Sequence, residues 1–373
     1  MSASEGPTLH VHGRVLLGDD REVGDIWVKD GRVSLTRPSA QGTNMMTLEG
    51  WVLPGLVDVH CHIGLGADGG VDAATAQAQA VADRDAGVLL VRDAGSPVDT
   101  GWVHRRPDLP RLVRAGRHLA RPKRYLRGYG LELEDVHDLP GAVRREARAG
   151  DGWVKIVGDW IDRSLGDEGD LRPLWPDDVL AEAVAVAHAE AARVTVHAFS
   201  DEVIPSLLAA GVDCIEHGTG IHPDLMYEIS ERGVAVTPTL LQIGEFERIA
   251  ARADGRYPRF AARMRALHAR RYEQARQLFE AGIQVLVGTD AGGTIGHGRI
   301  ADECAELVAA GIPAADVVAA ASWQAREYLG YAALVEGSSA DFVVYPSDPR
   351  ADVGVLRAPT AVVLRGQVVA PAR

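Results

Sequence analysis

Between residues 55 and 291 short apolar runs alternate with alanine-rich segments of helical pattern, and this constrains the fold more than any other feature of the chain. The runs are GLVDVHCH, GVLLVRDAG, GWVKIVGD, RVTVHAF, DCIEHG, AVTPTLL and VLVGTDA. Between them lie segments such as DAATAQAQAVADRDAG, PDDVLAEAVAVAHAEAA and PRFAARMRALHARRYEQARQLFEAG. Strand–helix repetition of this kind implies an α/β protein with parallel strands and helical crossovers. Seven strands are visible, and an eighth is expected near LARPKRYLRG, residues 119–128, where the pattern is weakest. Eight strands would close a TIM-like (β/α)8 barrel within a typical length of about 250 residues. A doubly wound open sheet is the other architecture compatible with the pattern.

The two ends read differently. LHVHGRVLLGDD and VGDIWVKDGRVSLT are short strands with tight turns, and the Asp30-Gly31 pair is a two-residue hairpin signal. The tail returns to the same style in SADFVVYPSD and TAVVLRGQVVA. The termini are therefore expected to pair into one small β-sandwich. The resulting organisation is 1–54 for the first part of the sandwich, 55–333 for the barrel and 334–373 for the second part.

The chain has 373 residues, 46% of them hydrophobic, which is enough for one large core. A formal net charge of −13 without any basic run argues against nucleic acid and anionic membranes as partners, leaving a small-molecule substrate. Cys61, Cys214 and Cys304 are too sparse, and odd in number, for a disulfide framework. No signal-peptide pattern opens the sequence and no membrane-length apolar run occurs, so a cytoplasmic enzyme is expected. Long outer helices leave room for a homo-oligomer.

In a barrel, chemistry sits at the C-terminal strand ends. The polar residues there are His60, His62, Lys155, His197, His217 and Asp290. Strand alternation sends His60 and His62 to one face and Cys61 to the other. Two imidazoles on one face can chelate a borderline metal such as zinc. Lys155 is the least ordinary member. Lysine and arginine total 39, yet the only lysines are Lys29, Lys123 and Lys155. A neutral lysine amine can take up carbon dioxide as a carbamate, an anion able to bridge two cations, which arginine cannot do. The alternative is a buried lysine paired with Asp290.

These residues carry a resemblance. LPGLVDVHCH, VKIVGD, VTVHAF, IEHGTG and VGTDAGG occur in the order and approximate spacing of the amidohydrolase superfamily. GVLLVRDAG, AVTPTL, AAASWQAREYLG and GSSADFVVY resemble its imidazolonepropionase-related branch, which includes Xaa-Pro and Xaa-Arg dipeptidases of the prolidase type. RYLRGYG departs from the Gly-Gly-His-Gly of the dipeptidase relatives, and EGSSADF lacks their frequent basic residue. The resemblance implies a site for two divalent metal ions, with zinc fitting the ligand types. His60, His62 and Asp290 would hold one ion, His197 and His217 the other, and carboxylated Lys155 would bridge them. It also implies hydrolysis of an amide-type C–N bond by a metal-bridging hydroxide, with Asp290 as the catalytic proton carrier. The substrate would be a small N-acyl amino acid, a dipeptide or a cyclic amide. Competing readings are a deaminase of the same superfamily, a lactone or phosphotriester hydrolase, and a barrel retained only for assembly.

Other residues are weighed against these. Tyr125, Arg127, Tyr129, Trp160, Arg163 and Gln242 lie in loops after strands and are candidate substrate contacts, as are His222 and His297 above the barrel mouth. His10-Val-His12 reads as surface strand, with no further ligand group beside it. Glu216 is expected to face away from the site in a salt bridge. Asp58 is expected to support His60, and Asp93 either to cap a turn or to back the site. His104, His118, His137, His188 and His268 are expected to be solvated or packed.

Overall fold

The computed structural model describes residues 8–37 and 45–371. The N-terminal segment forms β1 (Thr8–Gly18), β2 (Arg21–Lys29), β3 (Arg32–Ser34) and β4 (Met45–Pro54). The expected hairpin joins β2 to β3: Asp30 and Gly31 have φ of 53° and 73°, the two left-handed residues that the tight turn requires.

Parallel strands follow. β5 (Leu56–Cys61), β6 (Val88–Asp93) and β7 (Arg111–Arg114) form a three-stranded sheet. β8 (Leu119–Ala120), β9 (Leu131–Glu132), β10 (Trp153–Val157), β11 (Arg193–Ala198), β12 (Cys214–His217) and β13 (Ala235–Thr237) form a six-stranded sheet in the order β9-β8-β10-β11-β12-β13. Helices α1 (Ala73–Asp85), α2 (Leu139–Ala149), α3 (Asp177–Ala189), α4 (Ile204–Ala210) and α5 (Pro223–Glu231) cross between strands as the alternation requires.

Two expectations are corrected. The third strand is not residues 119–128, because only Leu119–Ala120 of that window is strand. It is instead one run broken in the middle, β7 and β8, where Gly116 adopts φ 73°. Glycine takes this left-handed conformation without the strain that a side chain would add. VLVGTDA is not a ladder strand either. It lies between β13 and β5, joined to them by the parallel bridges Val236↔Val285 and Cys61↔Ala291. Val59 N donates to Val287 O (3.0 Å), Leu286 N to Val236 O (2.9 Å) and Asp290 N to His60 O (2.7 Å).

After β13 the helices α6 (Leu240–Gly244), α7 (Phe246–Ala253), α8 (Pro258–Glu280) and α9 (Ile300–Ala309) complete the outer layer. Then β14 (Phe342–Tyr345), β15 (Ala361–Leu364) and β16 (Gln367–Pro371) return to the N-terminal strands. The termini pair with each other as expected, in one seven-stranded sheet ordered β16-β15-β14-β4-β1-β2-β3. Its residues alternate between two cores. Val343, Tyr345, Val362 and Leu364 join the main core, whereas Phe342, Val344, Ala361 and Val363 fill a smaller one with Leu9, Val11 and Ile26. Cys61, Cys214 and Cys304 are free and buried. No helix among the described residues is long and apolar enough to cross a membrane.

His10 and His12 face outward between the buried Leu9 and Val11. The expectation of no neighbouring ligand group is wrong, because Asp25 is the register partner of His12 on β2. The antiparallel pairing of the consecutive strands β1 and β2 brings the carboxylate to the pair, and only the pairing register reveals it.

Candidate metal centre

The structure brings His60, His62, His217 and Asp290 together. His60 ends β5 with Cys61, His62 follows it, and His217 closes β12. The ring centroids of His60 and His62 lie 5.0 Å apart, those of His60 and His217 5.2 Å, and those of His197 and His217 4.8 Å. Asp290 Oδ1 is 3.2 Å from His60 Nε2 and 2.9 Å from His62 Nε2. His60, His217 and Asp290 each offer a ligand atom within 4.8 Å of the others. Lys155 sits in β10, two residues below the level of His197 in the β10–β11 register.

What fixes these imidazoles is the nitrogen turned away from the centre. His62 Nδ1 donates to Gly95 O at 2.7 Å. His60 Nδ1 lies 2.8 Å from Glu216 Oε2. His217 Nδ1 and Thr239 Oγ1 are hydrogen-bonded at 2.6 Å. Nε2 of His60 and of His62 faces the carboxylate of Asp290, as a protonated imidazolium or as a neutral ring with a cation between. Outer hydrogen bonds of this type are the rule for metal-bound histidine.

Burial adds to this. The side chains of Lys155 and His197 are buried, and Lys155 Nζ and both His197 ring nitrogens have no hydrogen-bond partner among the described residues. Burial pushes the Lys155 ammonium below its ordinary value, against the pull of the Glu216 and Asp290 carboxylates. Burial holds His197 well below the usual imidazole range and takes His217 to about 3. Burial raises Asp290, but His60 and His62 outweigh it and hold the carboxyl well below its ordinary value. At His60 burial is outweighed by the Glu216 and Asp290 carboxylates, which raise the imidazole above its ordinary value. Divalent cations require neutral imidazoles and ionised carboxylates of their ligands.

Three non-glycine residues with left-handed backbone surround the centre: His217 (φ 65°), Thr239 (φ 49°) and Asp290 (φ 57°). This strain accounts for a correction at Glu216. Strict alternation would point it away from the site, but His217 leaves the strand conformation, so both side chains reach the centre. The expected salt bridge is present as well, to Arg92, and Thr195 also bonds Glu216.

The supporting shell follows the sequence in part. Asp58 accepts from His60 N (3.1 Å), Thr289 N (3.1 Å) and Thr289 Oγ1 (2.6 Å), tying β5 to the Asp290 segment. Asp93 caps the turn through Gly95 N (3.0 Å), and Gly95 in turn accepts from His62, so both roles considered for Asp93 are filled at once. Two residues were missed. Asp159 accepts from Phe199 N (2.9 Å) and Ser200 N (2.5 Å) and lies 3.8 Å from His197 Nε2. His118 is fully buried, its ring 5.0 Å from His62 and 5.2 Å from Tyr125, with neither nitrogen partnered among the described residues.

Above the centre is a cavity of about 350 Å³. Its lining includes His62, His197, His217 and Asp290, together with the predicted Tyr125, Tyr129, Trp160, Arg163 and Gln242. Phe199, Phe260 and Met264 add an apolar wall, and Arg248 and Arg252 stand at its edge. Three predicted contacts lie elsewhere. Arg127 is exposed and does not line the cavity, whereas Tyr125 does. His222 caps α5, accepting from Asp224 N at 3.4 Å. His297 is drawn behind the site by Asp83, with His297 Nδ1 to Asp83 Oδ2 at 2.8 Å.

Glu303 of α9 closes the rear of the site by accepting from Leu240 N (2.7 Å) and Leu241 N (2.9 Å) at the start of α6. Burial pushes its carboxyl up to about 8 from an ordinary 4.5. The folded state therefore binds this proton more tightly than the unfolded chain. Its contribution is complete below the unfolded value and lost as pH rises through about 8, with a slope of at most about 1.4 kcal/mol per pH unit. Denaturant unfolding at several pH values in this window should show that decline, and Glu303→Gln should flatten it.

Residues 51–369 match the amidohydrolase family. Uncharacterized proteins of Mycobacterium tuberculosis and Mycobacterium bovis are each 52% identical to this chain over 368 residues, covering 99% of it and 97% of their own length. Among solved structures, a Xaa-Pro dipeptidase with methionine bound in its active site aligns at a TM-score of 0.79 and 22% identity, covering 97% of this chain and 99% of that one. A prolidase complexed with N-methylphosphonate-L-proline aligns at 0.80 and 21%, covering 98% and 100%. Ochratoxinase of A. niger aligns at 0.78 and 18%, covering 99% and 96%. At such identities the structural likeness speaks for the fold, while the family match spans most of the sequence. The chain belongs to the amidohydrolase family and is a hydrolase of carbon–nitrogen bonds.

Proposed function

We propose that this chain is a metal-dependent hydrolase that cleaves the amide C–N bond of a small substrate, such as an N-acyl amino acid, a dipeptide or a cyclic amide. The observation that carries the reading is the set of imidazoles anchored through Nδ1, with Nε2 of His60 and His62 facing the carboxylate of Asp290. His60, His62 and Asp290 would hold one divalent ion, and His197 and His217 a second. Lys155, carboxylated by CO2, would bridge the two. Zinc suits these ligand types. Prolidase-type neighbours with a proline analogue or methionine bound support a substrate containing an amino acid.

When bound, divalent cations supply Lewis acidity, making water acidic near neutral pH and polarising a carbonyl. The residues of the chain do the rest. Hydrolysis adds a hydroxyl to the acyl carbon and a proton to the leaving nitrogen. Asp290 Oδ can take that proton from water and return it to nitrogen. Gly95 O holds His62 with Nδ1 as donor, while Glu216 and Thr239 lie against Nδ1 of His60 and of His217. Trp160, Phe199, Phe260 and Met264 form an apolar wall that seats a nonpolar substrate group and excludes bulk water. The two parallel sheets, linked through residues 284–291 by bonds to both β13 and β5, support one (β/α)8 barrel over 55–333 flanked by the terminal segments 1–54 and 334–373. The free, buried cysteines support a reducing cytoplasm as its location.

The test pairs metal analysis of the purified chain with a screen of N-acyl amino acids, dipeptides, cyclic imides and lactones. Two divalent ions at the centre, amide turnover, and loss of both on chelation are the expected results. One ion at the centre with ammonia released from a heterocycle would instead make the chain a deaminase.

A further inference from the structure

The seven-stranded terminal sheet carries a second cluster of ligand-type residues, away from the centre described above. Alternation on β1 buries Leu9 and Val11 and leaves His10 and His12 on the outer face. On β2 the register partners of this pair are Trp27 and Asp25. Asp25 Oδ1 lies 2.7 Å from His10 Nε2 and 2.9 Å from His12 Nδ1. On the other flank, Glu49 of β4 is the partner of His12 and is exposed. Two imidazoles and a carboxylate thus converge from two strands on one point open to solvent.

We infer that His10, His12 and Asp25 form a surface site for a divalent transition metal ion, zinc or copper(II), that clamps β1 to β2. The geometry is close to what a metal needs. Bonds of about 2.0–2.1 Å to nitrogen and oxygen place tetrahedral ligand atoms about 3.3 Å apart. The present separations of 2.7 and 2.9 Å therefore need to open by only about 0.5 Å, within reach of side-chain torsions on an exposed face. The strands fix two of the three ligands at neighbouring positions before the ion arrives, so little ordering opposes binding. Water or Glu49 can fill the remaining positions.

Trp27 supplies a local reporter. Its ring is stacked on His10 with centroids 5.2 Å apart and planes 5° from parallel. Copper(II), a quencher, bound to His10 would lie beside that indole.

Zinc content is measured by equilibrium dialysis on the full wild-type chain and on His12→Gln and Asp25→Asn. Copper(II) is titrated while following the fluorescence of Trp27, taken as wild type minus Trp27→Phe. The wild type should hold one zinc per chain more than either variant, with hydrolytic turnover the same in all three. The Trp27 signal should quench at one copper at this site, and His12→Gln should move the midpoint about 100-fold higher by loss of chelation. Equal zinc content in the three proteins overturns the inference, as does a Trp27 signal that copper leaves unchanged in the wild type.

Discussion

Replacing Asp290 with asparagine should lower kcat about 10³- to 10⁴-fold while leaving the fold in place. The two halves of this expectation have separate causes. Asp290 adopts φ 57°, a left-handed conformation that asparagine tolerates better than any other substitute except glycine. Its backbone N–H donates to His60 O at 2.7 Å, a bond that the substitution does not touch. The amide is nearly the same size as the carboxylate, so the cavity keeps its shape. What is lost is the negative charge facing His60 Nε2 and His62 Nε2, and with it the group that can take a proton from water and give it to nitrogen. Asp290→Ala removes the same chemistry but adds a backbone cost of about 1–2 kcal/mol in the left-handed region. A steady-state assay and a thermal melt on both variants separate the two effects. Turnover at the wild-type rate in Asp290→Asn would remove this carboxylate from the mechanism.

How far these features were legible depended on whether one strand or several carried the signal. Parallel strands with crossing helices follow from alternation within single segments, and so does the placement of His60, His62, His197 and His217 at or near strand ends, whereas Lys155 lies at the middle of β10. Periodicity is a property of one segment at a time, which is why it works there. It fails where the backbone departs from the period. His118 is packed, one of the two roles expected of it, but its place beside His62 is not read from the sequence because the run around Gly116 is broken. Glu216 was turned the wrong way because His217 leaves the extended conformation. Pairings between segments are silent as well: Asp25 with His12 on neighbouring strands, and Asp83 with His297 and Asp159 with Phe199 and Ser200 over longer separations.

The strained residues share a location. His217, Thr239 and Asp290 take positive φ at the rim where the imidazoles converge, and each is held by a bond that the strain makes possible. An unstrained strand would send neighbouring side chains to opposite faces. The left-handed turn lets Glu216 and His217 serve the same centre, one as orienter and one as ligand candidate. Local rules fail here because function requires a geometry that they disfavour.

Lys155 should show opposite effects on stability and turnover. The side chain is fully buried and its amine has no hydrogen-bond partner among the described residues. In the metal-free chain, Lys155→Met replaces that amine with an apolar group of similar length, so stability should hold or rise by about 1–3 kcal/mol. Turnover should fall at least about 10³-fold, since methionine cannot take up CO2 or bridge two cations. Lys155→Arg keeps the charge type but fixes it, because guanidinium does not deprotonate in proteins. Arg92 already pairs with Glu216 in the same interior, so a second permanent cation there should cost about 3–5 kcal/mol. The order of stability is then Met at or above Lys, with Arg lowest, while activity is high only with Lys. The uptake itself converts the amine and CO2 into a carbamate and a proton, and ¹³C-bicarbonate should give a carbamate resonance in the wild type that both variants lack. Formate or acetate should partly restore turnover to Lys155→Ala by supplying the missing bridging carboxylate. A methionine variant with wild-type turnover would leave Lys155 a packing residue, and the reason for a lysine in so arginine-rich a chain would have to be sought elsewhere.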